Sequence, residues 1–423
     1  MNKLWTLKRP VLAGAAALFL AAAGVNAEAG ALTPEQALGK SLFFDTNLSH
    51  AGNQACSSCH APGSAFTDPD KSHPTSKGDD PSLFGNRNAP SAMYMAYSPA
   101  FHYDTEGQTY VGGQFDDGRA NSLEDQAMKP FLNPVEMGDA DKAEVISHLQ
   151  ADPNAAAFTN VFGPNAFSDI DVAYSNIASA IASYERSSEL SPFTSKYDYF
   201  LKGQATLTTQ EMHGLELFND PNKAGCVGCH LSSPSPDGTP ALFTDFTYDN
   251  IGIPKNYASD FLNDPAQFNP DGQAFNDYGL GAIVGDPDLF GVFKVTTLRN
   301  IAVTGPYGHN GYFDSLAEVV DFYATRDVKP TCADPTDSAA VAEALGCWPV
   351  AEFPDQMNRD ELGDLALSMQ DKADLVAFLD TLTDGYQVGV IPEPATWMML
   401  LFGFGLAGGC LRARRLRTSG KRV

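Results

Sequence analysis

The chain contains the pattern Cys-x-x-Cys-His twice, at residues 56–60 and 226–230. Two cysteines one helical turn apart and a directly following histidine form the attachment signature of a c-type haem. The thiols bond to the porphyrin and the histidine becomes the proximal ligand of the iron. A single copy is also compatible with half of a zinc site or a redox dithiol, but two copies favour two covalently bound haems. The predicted haem-binding residues are Cys56, Cys59, His60, Cys226, Cys229 and His230.

A short internal repeat precedes each motif. Residues 32–45 align without gaps with residues 207–220, and Leu, Thr, Gly, Leu, Phe and Asp coincide. Each copy begins with a threonine followed by acidic residues, which is typical of a helix start. Residues 372–382 have apolar side chains at helical spacing near the end of the chain.

The segments between these helices, above all 68–87 and 250–291, are rich in Gly, Pro, Asn and Asp. Such residues favour turns and loops. We therefore expect an all-α, loop-rich protein in which two cytochrome c-like haem domains, 28–200 and 201–390, pack together.

Both ends of the chain carry export signals. Residues 1–27 combine a basic start, an apolar middle and a small-residue exit, as a signal peptide does. Residues 391–423 contain Pro-Glu-Pro, 17 uncharged residues and then a basic cluster. This order resembles the PEP-CTERM sorting signal of envelope proteins, which implies export to the periplasm or cell envelope. The apolar run is also just long enough for a permanent membrane anchor.

The net charge of the chain is −25, from 27 basic and 52 acidic residues. Nine of those cations but only one acid lie in the two ends, so residues 28–391 carry about −33. A surface this acidic is unsuited to nucleic acid. It favours a positively charged partner, because opposite charges steer association.

The chain has seven cysteines. Four belong to the haem motifs, and Cys410 lies in the C-terminal sorting segment. Cys332 and Cys347 bracket a short insert, and in an oxidising envelope we expect them to form a disulfide.

Six further motifs occur in order around the two haem motifs. They are Arg-Asn-Ala-Pro at 87–90, Phe-Asp-Asp-Gly-Arg at 115–119, Ser-Leu-Glu-Asp-Gln at 122–126, Asn-Pro-Val-Glu-Met at 133–137, Thr-Leu-Arg-Asn at 297–300 and Pro-Tyr-Gly-His-Asn-Gly at 306–311. With them, about residues 31–385 resemble the bacterial di-haem cytochrome c peroxidase/MauG family. The resemblance implies an oxidoreductase that reduces hydrogen peroxide at the N-terminal haem. A small redox protein, a cytochrome c or a cupredoxin, would supply electrons through the C-terminal haem. Whether the protein forms a homodimer is left open.

The resemblance also implies three catalytic residues at the N-terminal haem, namely Gln126, Pro130 and Glu136. Cleavage of peroxide needs a group that takes a proton from one oxygen and returns it to the other. A partly buried glutamate can do this at neutral pH, because burial raises its pKa.

At the C-terminal haem, the peroxidases place a methionine ligand 14 residues after the histidine of the Pro-Tyr-x-His motif. Counting 14 from His309 gives Tyr323, as in MauG-like proteins. Met357 and Met369 are alternative ligands further along the chain. Tyr323 favours a second interpretation, an enzyme that oxidises side chains of a partner protein. A third is a non-enzymatic electron-transfer protein.

One position departs from the family. A tryptophan usually lies between the haems, but Asp116 stands there, and Trp348 is the only tryptophan of residues 28–391. Phe115, Tyr110 and Tyr103 are the candidate substitutes.

The resemblance implies two further features. In some relatives a histidine binds the iron of the first haem on its second face, and His73 and His102 are the candidates for this ligand. In other relatives this face of the iron has no protein ligand. A calcium ion between the domains would be bound by Asn88 and by the carbonyls of Thr304 and Pro306.

Overall fold

The computed structural model describes residues 30–388. Its α-helices in this range are α1 (Pro34–Phe43), α2 (Cys56–Cys59), α3 (Leu123–Ala127), α4 (Lys142–Ala151), α5 (Asn154–Phe162), α6 (Ile170–Glu185), α7 (Lys196–Leu201), α8 (Thr209–Asn219), α9 (Leu280–Val284), α10 (Leu316–Thr325), α11 (Ala339–Leu345) and α12 (Met369–Asp380). Short 3₁₀ turns and long irregular segments connect them. The predicted signal peptide, the sorting segment and Cys410 lie outside the described residues. Among residues 30–388, no helix combines the length and apolar character needed to cross a bilayer.

Strands are few and short in the described part of the chain. β1 (His102–Asp104) pairs antiparallel with β2 (Thr109–Val111), and Tyr103 faces Tyr110. β3 (Tyr248–Asp249) pairs antiparallel with β4 (Phe293–Lys294). The prediction of a helix-rich, loop-rich protein with little sheet is confirmed. The boundary between two domains at residue 200 stays a prediction.

The internal repeat forms two equivalent helices, α1 and α8. Each begins with a capping box, in which Thr33 pairs with Gln36 and Thr208 pairs with Glu211. In a capping box, two side chains satisfy backbone N–H groups that the first helical turn leaves free. The helix starts predicted from the threonines are therefore confirmed.

The glycine shared by the two repeats permits close helix packing. A Cβ atom on Gly39 would lie 1.7 Å from the Ala180 carbonyl oxygen of α6, and one on Gly214 would lie 2.0 Å from the Asp374 carbonyl oxygen of α12. Only glycine fits such contacts. Each haem motif is thus preceded by a helix that packs tightly against a partner, α1 on α6 and α8 on α12.

Two hydrophobic clusters surround these helix pairs. The first includes Phe43, Phe131, Phe158 and Ile177, and the second includes Phe218, Phe243 and Phe378. The haem motifs lie against them, since Cys56 packs on the first cluster and Cys226 on the second. The cores therefore hold both attachment segments in place.

Buried polar contacts join the two halves of the chain. Arg299 donates to both carboxylate oxygens of Asp198 at 2.8 and 2.9 Å, and its guanidinium lies 4.8 Å from the ring centre of Tyr94. The carboxylate of Asp384 accepts from the Tyr94 hydroxyl at 2.7 Å and from Asn300 Nδ2 at 2.8 Å. The Thr-Leu-Arg-Asn motif thereby connects segments far apart in sequence.

The insert after α10 forms a small cluster of its own. Cys332 and Cys347 are bonded through sulfurs 1.97 Å apart. Trp348 is buried beside them, and its indole N–H donates to Thr325 Oγ1 at 3.0 Å. The tryptophan is part of this insert and lines neither haem cavity.

Candidate active site

The first cavity is built around α2. Cys56, Cys59 and His60 line it, and the two thiols are not joined to each other. His60 Nδ1 lies 3.1 Å from the Phe66 carbonyl oxygen, so it donates to that oxygen and leaves Nε2 as the free ligand nitrogen. Burial also lowers the pKa of His60, which favours the neutral form that binds metals.

All three residues expected at the peroxide site line this same cavity: Gln126, Pro130 and Glu136. Gln126 lies on α3, which begins at the cap Ser122, and Pro130 opens the next 3₁₀ turn. Glu136 lies in the loop that follows. Its pKa is raised by burial, against the opposing effects of the Arg119 charge and a hydrogen bond from Asn133.

The backbone around Glu136 is fixed by hydrogen bonds to other loops. The Glu136 carbonyl accepts from the amide of Asp79 at 2.6 Å, and the Met137 carbonyl accepts from the amide of His50 at 3.0 Å. A Cβ on Gly78 would lie 2.7 Å from the Val135 carbonyl oxygen, so this loop also packs closely on residue 78. The catalytic candidate therefore lies on a well-anchored loop.

His60 is the only histidine that lines the first cavity in the described part of the chain. His73 instead pairs with Asp260, with 2.6 Å between Nδ1 and Oδ2, and its ring packs against Phe84. The ring of His102 is exposed and contacts the Ala100 carbonyl. Both candidates for a closing ligand thus lie outside the first cavity.

Glu185 is a further residue of the first cavity, and no pattern in the sequence indicates it. It is the last residue of α6, it is buried, and its Oε2 has no hydrogen-bond partner in the part of the chain that the structure describes. Burial raises its pKa to about 8, with Arg186 opposing the shift. Only the packing of α6 against the cavity identifies this position.

The second cavity contains the other attachment motif. Cys226, Cys229 and His230 line it, and His230 Nδ1 donates to the Phe243 carbonyl at 2.8 Å. Burial lowers the pKa of His230, as for the first histidine. The two motifs therefore present their histidines in the same way.

Tyr323 of α10 lines the second cavity, whereas neither methionine candidate does. The Met369 side chain is 88% exposed on the surface. Met357 packs against Gly252, whose added Cβ would lie 2.0 Å from its sulfur. Burial raises the pKa of Tyr323, so the free phenol is protonated at neutral pH.

Asp116 and Lys294 line both cavities and so lie between them. The Lys294 backbone N–H donates to the Asp116 carbonyl at 2.7 Å, and Lys294 Nζ donates to the Gly113 carbonyl at 3.0 Å. Burial lowers the pKa of Lys294 to about 8, while the nearby Asp116 and Asp117 charges oppose the shift. An aspartate and a lysine thus lie between the two cavities, where the family resemblance predicts a tryptophan.

Of the aromatic candidates for this route, only Phe115 lines a cavity. The Arg119 guanidinium carbon lies 3.6 Å from its ring centre. Tyr103 is exposed, and the Tyr110 ring stacks on Phe101. Tyr103 and Tyr110 therefore line neither cavity.

Two of the three predicted calcium ligands are in contact. Asn88 Nδ2 donates to the Pro306 carbonyl at 2.6 Å, and the Asn88 backbone N–H donates to the His309 carbonyl at 2.8 Å. Thr304 lies two residues before Pro306 and, like the other two, lines the second cavity. A neutral side-chain amide beside backbone carbonyls is a donor set suited to calcium.

Both cavities fit a c-type haem. Each offers two unpaired thiols for attachment and one imidazole whose Nδ1 is fixed by a backbone carbonyl, which orients the ligand nitrogen. The fold and these two cavities define a helical c-type cytochrome with two haem centres.

The family model of the di-haem cytochrome c peroxidases matches residues 33–206, and the PEP-CTERM protein-sorting motif matches residues 390–415. The methylamine utilization protein MauG of Paracoccus denitrificans is 39% identical over 82% of this chain and 88% of that protein. The cytochrome-c peroxidase IdrP1 of a Pseudomonas species is 31% identical over 82% of this chain and 80% of that protein. The crystal structure of the diheme peroxidase BthA of Burkholderia thailandensis has a TM-score of 0.68 and 33% identity, over 86% of this chain and 89% of that one.

The chain belongs to the di-haem cytochrome c peroxidase/MauG family of oxidoreductases. The family resemblance expected from the six motifs is confirmed, and so is the PEP-CTERM motif at the C-terminal end. Membership implies two c-type haems.

Proposed function

We propose that this protein reduces hydrogen peroxide to water at the first cavity. The observation that carries the proposal is the meeting of Gln126, Pro130 and Glu136 with His60 around one cavity. Bound at Cys56, Cys59 and His60, the haem would supply the redox chemistry that splits the O–O bond.

Glu136 would handle the protons. Burial raises its pKa, so the carboxyl can accept a proton from one peroxide oxygen and return it to the departing oxygen near neutral pH. Gln126 would orient the peroxide through its amide, and Pro130 would restrict the backbone that leads to Glu136. The hydrogen bonds from Asp79 and His50 hold this loop in register.

Electrons would enter through the second haem, held by Cys226, Cys229 and His230. A small, positively charged redox protein, a cytochrome c or a cupredoxin, suits the acidic body of the enzyme. Asp116 and Lys294 lie between the cavities and would set the electrostatic environment of the transfer.

A second candidate function is oxidation of side chains in a partner protein. Tyr323 favours it, because this tyrosine lines the second cavity where neither candidate methionine does. A phenolate ligand stabilises oxidised iron, whereas methionine raises the potential. The 39% identity to a MauG protein supports the same candidate.

Calcium would couple the two halves through Asn88, Thr304 and Pro306. The hydrogen bond from Asn88 Nδ2 to the Pro306 carbonyl shows that these two residues are adjacent, which supports this placement. Calcium would need the amide to present Oδ1 instead. With the sorting motif at residues 390–415, we propose that the enzyme is exported and works in the periplasm or at the cell surface.

The test is the variant Glu136→Gln, assayed for peroxide turnover with a reduced small cytochrome. Loss of the proton acceptor should lower turnover by roughly two to four orders of magnitude. Glu106→Gln, in the exposed turn between β1 and β2, is the matched control and should keep the wild-type rate. An unchanged rate in Glu136→Gln would remove this residue from the mechanism.

A further inference from the structure

Three ligating side chains meet outside both haem cavities, at the start of α4. They are Asp139, Glu144 and His148, and their ligand atoms all lie within 4.8 Å of one another. Glu144 and His148 are four residues apart on α4, so they share one face of the helix. Asp139 precedes the helix and completes the group.

Asp139 indicates that this group is more than a surface cluster. Its side chain is fully buried, and among residues 30–388 neither carboxylate oxygen has a hydrogen-bond partner. His148 Nδ1 lies 3.3 Å from Asp139 Oδ1 but also lacks a hydrogen bond. Buried polar atoms are almost always satisfied, and a buried carboxylate without hydrogen bonds is costly. A cation between these atoms would satisfy all of them.

The other carboxylate is already oriented. Glu144 Oε2 accepts from the backbone N–H of Ala140 at 2.7 Å, and Oε1 lies 2.8 Å from His50 Nδ1. Contacts of this kind commonly fix metal-binding carboxylates from outside the ligand set. Glu144 and His148 are each about one quarter exposed, which gives an ion access from solvent.

We propose that Asp139, Glu144 and His148 bind one divalent first-row transition ion. One imidazole and two carboxylates are ligands that Zn²⁺ and its neighbours accept, with a position left for water. Calcium and magnesium prefer oxygen ligands alone, so the histidine disfavours them. The site is distinct from the calcium site proposed at Asn88, and it does not depend on the proposed peroxide reaction.

Occupation would stiffen the loop that carries Glu136. Asp139 lies three residues after Glu136, and its backbone N–H donates to the Phe131 carbonyl at 2.9 Å. The amide of His50, whose ring contacts Glu144, donates to the Met137 carbonyl. The ion would therefore connect α4 with the loop that carries Glu136. Its binding should raise the melting temperature of the protein.

The experiment uses the purified holoprotein after dialysis against a chelator. Zn²⁺ is then titrated calorimetrically, and bound zinc is counted against haem iron by mass spectrometry. Wild type should bind one Zn²⁺ per chain in the presence of excess Ca²⁺. Asp139→Asn and His148→Ala should weaken binding at least as much as loss of a residue that only supports a metal ligand does, which is about 10–100-fold. His213→Ala is the matched control, because His213 pairs with Asp374 at 2.7 Å and no third ligand completes a group with them in the described part of the chain.

The proposal is overturned if wild type binds no Zn²⁺ beyond the level of His148→Ala, or if His213→Ala weakens binding equally. The haem absorption spectrum and far-ultraviolet circular dichroism show whether each variant folds. If Asp139→Asn or His148→Ala fails to fold, the remaining ligand is tested through Glu144→Gln. That variant should show the same loss of zinc while both haems remain bound.

Discussion

At the scale of single residues, Tyr323 is the side chain that most directly separates the two candidate functions. It lines the second cavity with His230, and Met357 and Met369 lie elsewhere. We predict that Tyr323→Phe changes the absorption and paramagnetic resonance signals of this haem, because a phenolate ligand is lost. The reduction potential of the same centre should rise.

Tyr307→Phe serves as a control, since Tyr307 also lines the cavity but its hydroxyl donates to the Ile301 carbonyl at 2.8 Å. If the Tyr323→Phe variant keeps the wild-type spectra and reduction potential, Tyr323 only packs in the cavity and does not bind the iron. The proposed oxidation of partner side chains would then lose its main support.

Glu185 gives a prediction for the pH dependence of stability. Its pKa is raised from 4.5 to about 8, mainly by burial. In the unfolded chain the carboxyl loses its proton near its ordinary pKa, whereas in the folded protein it stays protonated until about pH 8. The folded state therefore loses stability as the pH rises between these values, and the loss is complete above pH 8.

Glu185→Gln should remove this pH-dependent loss of stability, because glutamine does not titrate. Relative to wild type, the free energy of unfolding of the variant should increase from pH 5 to pH 8.5, by roughly 2–4 kcal/mol. Denaturant titrations of the holoprotein at the two pH values measure it. The same difference between variant and wild type at both pH values would mean that Glu185 titrates normally.

At the scale of elements, the helix pairs α1 with α6 and α8 with α12 depend on a single glycine each. A Cβ on Gly39 would lie 1.7 Å from the Ala180 carbonyl oxygen. Gly39→Ala should therefore separate α1 from α6 and cost about 1–3 kcal/mol or more in unfolding free energy.

Thermal unfolding of the holoprotein measures this cost. Gly63→Ala is the control, because no atom of residues 30–388 lies within 4 Å of its added Cβ. Equal stability of the two variants would contradict the close helix contact.

At the scale of the whole molecule, the acidic body predicts a salt-dependent reaction with its electron donor. Residues 28–391 carry about −33. The second-order rate constant for reaction with a basic cytochrome should fall as ionic strength rises from low to physiological values. Salt screens the electrostatic attraction that steers the two proteins together. The rate with a small uncharged reductant should stay constant. A cytochrome rate independent of salt would exclude steering by this surface.

The sequence was sufficient for features that local pattern determines. The haem motifs, the capped helices at Thr33 and Thr208, and the loop-rich character follow from spacing and residue type. Gln126, Pro130 and Glu136 were selected through family motifs, and the fold brings them to one cavity.

Other site features depend on contacts between distant segments, and no local pattern indicates them. Lys294 lies on β4 and Asp116 on a loop of the other half, yet both line the two cavities. Asp139 is selected only because burial leaves its carboxylate without partners. Tyr103 and Tyr110 were candidates by proximity in sequence, but the hairpin of β1 and β2 holds them outside the cavities.

The central claim is that the haem on His60 is open and reacts with peroxide. Low-temperature electron paramagnetic resonance of the ferric protein, before and after one equivalent of hydrogen peroxide, tests it most directly. The proposed function predicts a high-spin signal from this centre, and peroxide should abolish that signal. His60 is the one histidine that lines the cavity among residues 30–388, which agrees with this expectation. Two low-spin signals that peroxide leaves unchanged would contradict the claim.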